Sequence, residues 1–132
     1  MRYKLLFLVI IIFGFACQNS GTTKSSSPLE SETKHPENYL VVYGRDKHNL
    51  FGQTVIKGSI TNKATLVTYK DVDLKLEFYS KTGTLLETDH EVVYELIAPG
   101  SSKSFKTKYF APKGSDSVAL HVVTARPVND VK

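Results

Sequence analysis

The sequence predicts an all-β domain, an antiparallel β-sandwich of about seven short strands, preceded by a signal peptide and a polar, disordered linker. Three observations predict it. From Tyr39 onward apolar and polar residues alternate with a period of two, the repeat of a strand with one buried face. Turn-forming clusters such as Ser80-Lys81-Thr82-Gly83, Ala98-Pro99-Gly100-Ser101 and Pro112-Lys113-Gly114-Ser115-Asp116 interrupt that alternation at short intervals. No stretch offers helical spacing long enough to propose a helix.

The first element is an address. Met1-Arg2-Tyr3-Lys4 supplies two cations, Leu5 to Phe13 is an unbroken apolar run, and Gly14-Phe15-Ala16-Cys17 closes it before the polar Gln18-Asn19-Ser20-Gly21. That order is the order of a secretory signal. The apolar run is too short to cross a bilayer, which needs about 20 residues. Cys17 is the single cysteine of the chain. The domain behind it therefore has no intrachain disulfide, no Cys-ligated zinc and no thiol nucleophile. Ala16-Cys17 at the end of the apolar run resembles a lipobox, where bacterial lipoproteins are cleaved and lipidated. Gly14 and Phe15 stand where that pattern usually has an aliphatic and a small residue. The resemblance implies a lipoprotein signal peptide over 1–16 and lipidation at Cys17. Two or more acyl chains hold a protein stably, at about 0.8 kcal/mol per buried CH₂. The expected location is the bacterial cell envelope, lipid-anchored to the outer membrane and facing the periplasm.

The second element, 17–38, reads as the lipidated Cys and a flexible linker. Ser, Thr and Pro dominate it, Lys and Glu are interspersed, and Leu29 is its one large apolar residue. Such a segment buries too little surface to offset its ordering entropy. Its r.m.s. span is about 25 Å if it is a free chain. Lys and Arg number 17 and Asp and Glu 13; losing Arg2 and Lys4 with the signal halves the cation excess from four to two. That balance argues against nucleic acid or a polybasic membrane patch.

The domain spans 39–127, with 128–132 as a tail. Tyr39 to Tyr43 is a short β-rich run, and Gln53 to Thr61 a strand ending at Asn62. The clearest strand is Val72 to Phe78: Val72, Leu74, Leu76 and Phe78 point one way, Asp73, Lys75 and Glu77 the other. Gly83 sits in the hairpin loop that follows, where a positive φ is wanted. Thr84 to Leu86 begins the return, and Val92 to Leu96 either continues it or forms another strand. Phe105, Thr107 and Tyr109 alternate with Lys106 and Lys108, and Ser117 to Val123 is the last strand. Strands of this number and length, over about 90 residues, predict an immunoglobulin-like sandwich.

Gly58-Ser59-Ile60-Thr61-Asn62, the Val72–Tyr79 strand, Thr82-Gly83, Leu96-Ile97-Ala98-Pro99-Gly100 and Phe105 together resemble the FxLYD domain. That family is a small immunoglobulin-like sandwich of bacterial extracytoplasmic proteins and lipoproteins. The likeness covers roughly 55–123; Ser80 stands where the family usually has Asp, and Leu76 where it often has an aromatic residue. The motif is structural, so it implies a fold and carries no catalytic residues.

Candidate chemistry is sparse. His35, His48, His90 and His121 form no metal-ligand spacing, and Asp89-His90-Glu91 reads as a solvated edge. Asp71, Asp73 and Glu77 share a face with Lys75 between them, which disfavours calcium. No Gly-x-Ser-x-Gly elbow and no phosphate loop appears. Tyr69, Tyr79, Tyr94 and Tyr109 form a candidate interaction surface, since exposed tyrosines suit protein or glycan contact. The expectation is a non-catalytic, lipid-anchored envelope protein without cofactor or metal. It would act as an interaction or scaffolding module and meet the membrane through its lipid and another envelope protein through its domain. The alternative is an accessory lipoprotein that binds a small ligand or glycan on the tyrosine surface.

Overall fold

Alternation at the middle of the chain sets the architecture. In the computed structural model, which describes residues 25–48, 50 and 52–128, Val72, Leu74, Leu76 and Phe78 are at most 2% exposed. Asp73, Lys75 and Glu77 take the opposite, partly exposed face. Helix α1 (Pro28–Lys34) and a 3₁₀ turn (Pro36–Asn38) lead into β1 (Leu40–His48) and β2 (Thr54–Asn62). Then come β3 (Thr68–Ser80), β4 (Leu85–Val93), β5 (Ser102–Tyr109) and β6 (Ser115–Val128). All pairings are antiparallel and make two three-stranded sheets, β1-β2-β5 and β4-β3-β6. The chain is thus an all-β sandwich, with β1 lying beside β6.

Six strands are described where about seven were expected. The difference is β4: the two short runs around Thr84–Leu86 and Val92–Leu96 are the two ends of one nine-residue strand. Polar Glu87 to Glu91 continues the pairing because β4 is an edge, where side chains need not be apolar. Gly83 has φ +82° in the hairpin, and its N–H donates to the Ser80 carbonyl at 2.9 Å.

The core lies between the sheets in two adjoining groups. One gathers Leu40, Ile60, Tyr69, Val72, Leu74 and Ile97; the other gathers Ile56, Leu76 and Phe78, with Phe105, Tyr109 and Leu120 against it. The motif glycine has a packing reason. A Cβ on Gly58 would stand 2.6 Å from the Phe105 ring and nearer still to the Tyr43 carbonyl oxygen. Gly44, its cross-strand partner, leaves room for Leu120 in the same way. Asn62 is fully buried and ties two loops: its amide donates to the carbonyls of Val67 (2.8 Å) and Ile97 (2.9 Å) and accepts from the Ala64 N–H (2.8 Å). A buried amide with its hydrogen bonds met fixes loop geometry that apolar packing alone leaves free.

The linker expectation is corrected for its second half. Ser27 caps α1, its Oγ accepting from the Glu30 N–H, with Pro28 at the first position. Ser27-Pro28-Leu29-Glu30 is the Ser-x-x-Glu signature of a helix start. The helix docks through a carboxylate. Glu32 is 3% exposed, and its two oxygens accept from Thr65 N (2.8 Å) and Oγ1 (2.9 Å), Leu66 N (2.8 Å) and Val67 N (3.0 Å). The Tyr69 hydroxyl donates to the Glu32 carbonyl at 2.6 Å. The folded unit therefore includes α1 and the 3₁₀ turn ahead of Tyr39. The signal peptide, Cys17 and the remainder of the expected linker through 24 lie outside the described residues, as does the tail beyond Val128.

Candidate interaction face

Strand register decides which side chains share a surface. Along β1, Leu40, Val42 and Gly44 face the core, so Val41, Tyr43, Arg45 and Lys47 face outward. Val55, Lys57, Ser59 and Thr61 of β2 lie opposite them, and Ser102, Ser104, Lys106 and Lys108 of β5 complete the rows. Arg45, Lys57 and Lys106 fall in one transverse row across three strands. Lys47, Val55 and Lys108 fall in the next, and Tyr43, Ser59 and Ser104 in the row on the other side.

This face carries five cations and no carboxylate. All five are exposed, and none makes an ion pair or side-chain hydrogen bond among the described residues. Neighbouring strands are about 4.8 Å apart, so the row Arg45–Lys57–Lys106 compresses three like charges into about 10 Å of backbone width. Like charges directly opposite on adjacent strands are destabilising. A basin of about 500 Å³ opens here, lined by Arg45, Lys47, His48, Val55, Lys57 and Lys106. Val55 is the apolar residue of that lining, and Tyr43, 68% exposed, stands in the next row.

The outer face of β4-β3-β6 is built differently. Asp73 meets His90 at 3.0 Å, Glu77 meets Lys75 at 2.7 Å and His121 at 3.1 Å, and Asp71 meets Arg126 at 3.9 Å. The Tyr79 hydroxyl also donates to Glu77 at 3.1 Å. The Lys75 ammonium bonded to Glu77 holds that carboxyl below its ordinary range, and the same carboxylate pushes the Tyr79 phenol up. The acidic row read as a solvated face is thus laced with cations. No group of three or more His, Cys, Asp or Glu suited to a metal occurs among the described residues.

The tyrosine surface is corrected. Tyr69 is fully buried, and burial with the adjacent Glu32 charge pushes its phenol up to about 12. Its position follows from a bulge. Asp71 has φ +50°, and the β3–β6 register shifts between Lys70 and Asp73, so the in-out phase flips before Val72. Tyr109 turns inward: its ring lies 6.0 Å from that of Phe78, and its hydroxyl donates to Glu91 at 2.7 Å. Burial and that bond raise its phenol further. Tyr79 is half-buried, and Tyr94, 79% exposed, stands beyond the far end of β4 near Asp71 and Asp73. The four do not share a surface.

The cationic face escaped the sequence reading because net charge averages over the molecule. Lys106 and Lys108 were visible as outward residues of a Phe105–Tyr109 strand. Their convergence with Arg45, Lys47 and Lys57 needs the pairing order β1-β2-β5, which no local pattern encodes. No family model, curated protein or solved structure matches the chain.

Proposed function

We propose that the chain is an exported, lipid-anchored, non-catalytic interaction module of the bacterial envelope, an FxLYD-like sandwich that meets its partner through the outer face of β1-β2-β5. One observation carries the reading: five cations gathered on three strands, without an ion pair among the described residues and with no carboxylate among the outward residues. Holding like charges together costs stability, and an anionic partner offsets that cost. The export signal and Cys17 supply the address, and the lipid leaves the domain free of any duty in anchoring. On β1 the cations occupy the end of the strand farther from Leu40, its first residue. Arg45 and Lys47 lie about 17 and 23 Å along β1 from Leu40, at the rise of a strand.

Two measurements test this. Mass spectrometry of the mature N-terminus should find an acylated Cys17, and Cys17→Ser should leave the membrane fraction; an unmodified Gln18 terminus refutes the anchor. The full chain, immobilised, should retain envelope material that elutes with salt, and the double variant Lys57→Glu, Lys106→Glu should retain none. Equal retention by both places the interaction elsewhere.

A further inference from the structure

We infer that the cationic face binds an anionic polysaccharide, with acidic groups over the Arg45–Lys57–Lys106 row and a sugar ring against Tyr43. The inference rests on the interaction reading above and names the chemistry of its partner. A lipid surface fits less well. The outward residues of these strands include few apolar side chains, Val41, Val55 and the Tyr43 ring, and both valines are half-buried. Interfacial binding draws much of its strength from buried apolar area. An acidic peptide adding to a sheet needs an edge with free backbone groups, yet the cation row runs across the face and includes the central strand β2.

A charged polysaccharide uses what is present. Its acidic groups recur along a linear chain, as the cations recur across the strands. The row beside the cations holds Tyr43, Ser59 and Ser104, an exposed aromatic ring followed by two hydroxyls. An aromatic face packs against the C–H side of a sugar ring, and hydroxyls exchange hydrogen bonds with its OH groups. Thr61 and Ser102 extend the hydroxyl surface by one more row, bonded to each other at 2.7 Å. The face offers a charged basin for the anionic substituent and, in the row beside it, a neutral strip for the ring that bears it.

The probe is dextran sulfate, with neutral dextran of the same length as control. The full-length chain carrying Cys17→Ser is used, so that lipid plays no part. Binding to dextran sulfate and not to dextran is expected. The affinity should fall more than tenfold between 50 and 200 mM salt, as counterion release by three or more contacts requires. Lys57→Glu with Lys106→Glu should lose at least tenfold. Lys106→Gln with Lys108→Gln, milder and confined to an edge strand, should lose severalfold and covers the case in which the reversal does not fold. Tyr43→Ala should weaken binding severalfold with the salt slope unchanged, which a bare cationic plate would not do. Equal affinity for phosphatidylglycerol vesicles or for a single-stranded oligonucleotide, with Tyr43→Ala neutral, overturns the inference. So does salt-sensitive retention of envelope material through Lys57 and Lys106 without binding to dextran sulfate, an outcome that leaves the interaction reading standing. Loss of both observations removes both.

Discussion

The two outer faces of the sandwich share strand geometry and differ in how they use charge. On β4-β3-β6 each outward carboxylate of β3 has a cation or histidine beside it: Asp71 with Arg126, Asp73 with His90, Glu77 with Lys75 and His121. On β1-β2-β5 five cations face outward with no acid among them. Exposed ion pairs are each worth little, but a mixed face at least avoids repulsion. The contrast separates a surface that serves folding from one that folding tolerates.

Four measurements break or sharpen that contrast. The largest effect belongs to the support common to both faces. Phe78→Ala should cost about 3–5 kcal/mol in chemical denaturation; a loss below about 1 kcal/mol would mean that β3 is not the shared spine. Next is Glu32, which belongs to neither face. Glu32→Ala strands three amides at Thr65, Leu66 and Val67 and should cost about 3 kcal/mol at neutral pH.

The pH dependence of that loss has a definite sign. Burial raises the Glu32 carboxyl, but the Thr65, Leu66 and Val67 amides and the Thr65 hydroxyl outweigh it and leave the group below its ordinary 4.5. Its ionisation therefore stabilises the fold fully above that ordinary value. The stability is lost as pH falls from about 4.5 through the lower folded value. Wild type and Glu32→Gln should converge in that window, and a constant gap there would refute the assignment.

The two smallest effects oppose each other in sign. Glu77→Gln should lower the melting temperature, because Lys75, Tyr79 and His121 all lose their charged partner. Lys57→Ser, in the middle of the cationic row, should raise stability by up to about 0.5 kcal/mol at low salt and by less at high salt. Melting curves at two ionic strengths read both. If removing Lys57 destabilises, the face is not under repulsion and the contrast fails.

The central strand was legible because an uninterrupted alternation of seven residues admits one orientation; Val72 to Phe78 and the turn at Gly83 follow from it. Asn62 and Gly58 were legible as motif residues, while their tasks, a two-loop tie and a recess for Phe105, needed the fold. Tyr69 was misplaced because the bulge at Asp71 resets the in-out parity, and no local pattern marks the reset. α1 was missed because it docks by a carboxylate. Its one large apolar residue, Leu29, is 54% exposed, so hydrophobic patterning had nothing to register. The Ser27–Glu30 cap was the local clue. The cationic face is a property of pairing order, and only a correct topology assembles it.

The Glu32 cradle has a mechanical consequence. Thr65, Leu66 and Val67 present consecutive donors to one carboxylate, and Tyr69 grips the backbone of the same residue. A pull on the N-terminal side of α1 meets these bonds before it reaches Leu40. Without them the same pull would reach Leu40 and peel β1, an edge strand, away from β2 one rung at a time. The cradle diverts tension into the turn at Thr65, next to the Asn62 tie. With the tether and the ligand proposed above, force would run through this cross-braced corner, and the sheet proposed to hold the ligand would keep its shape under load.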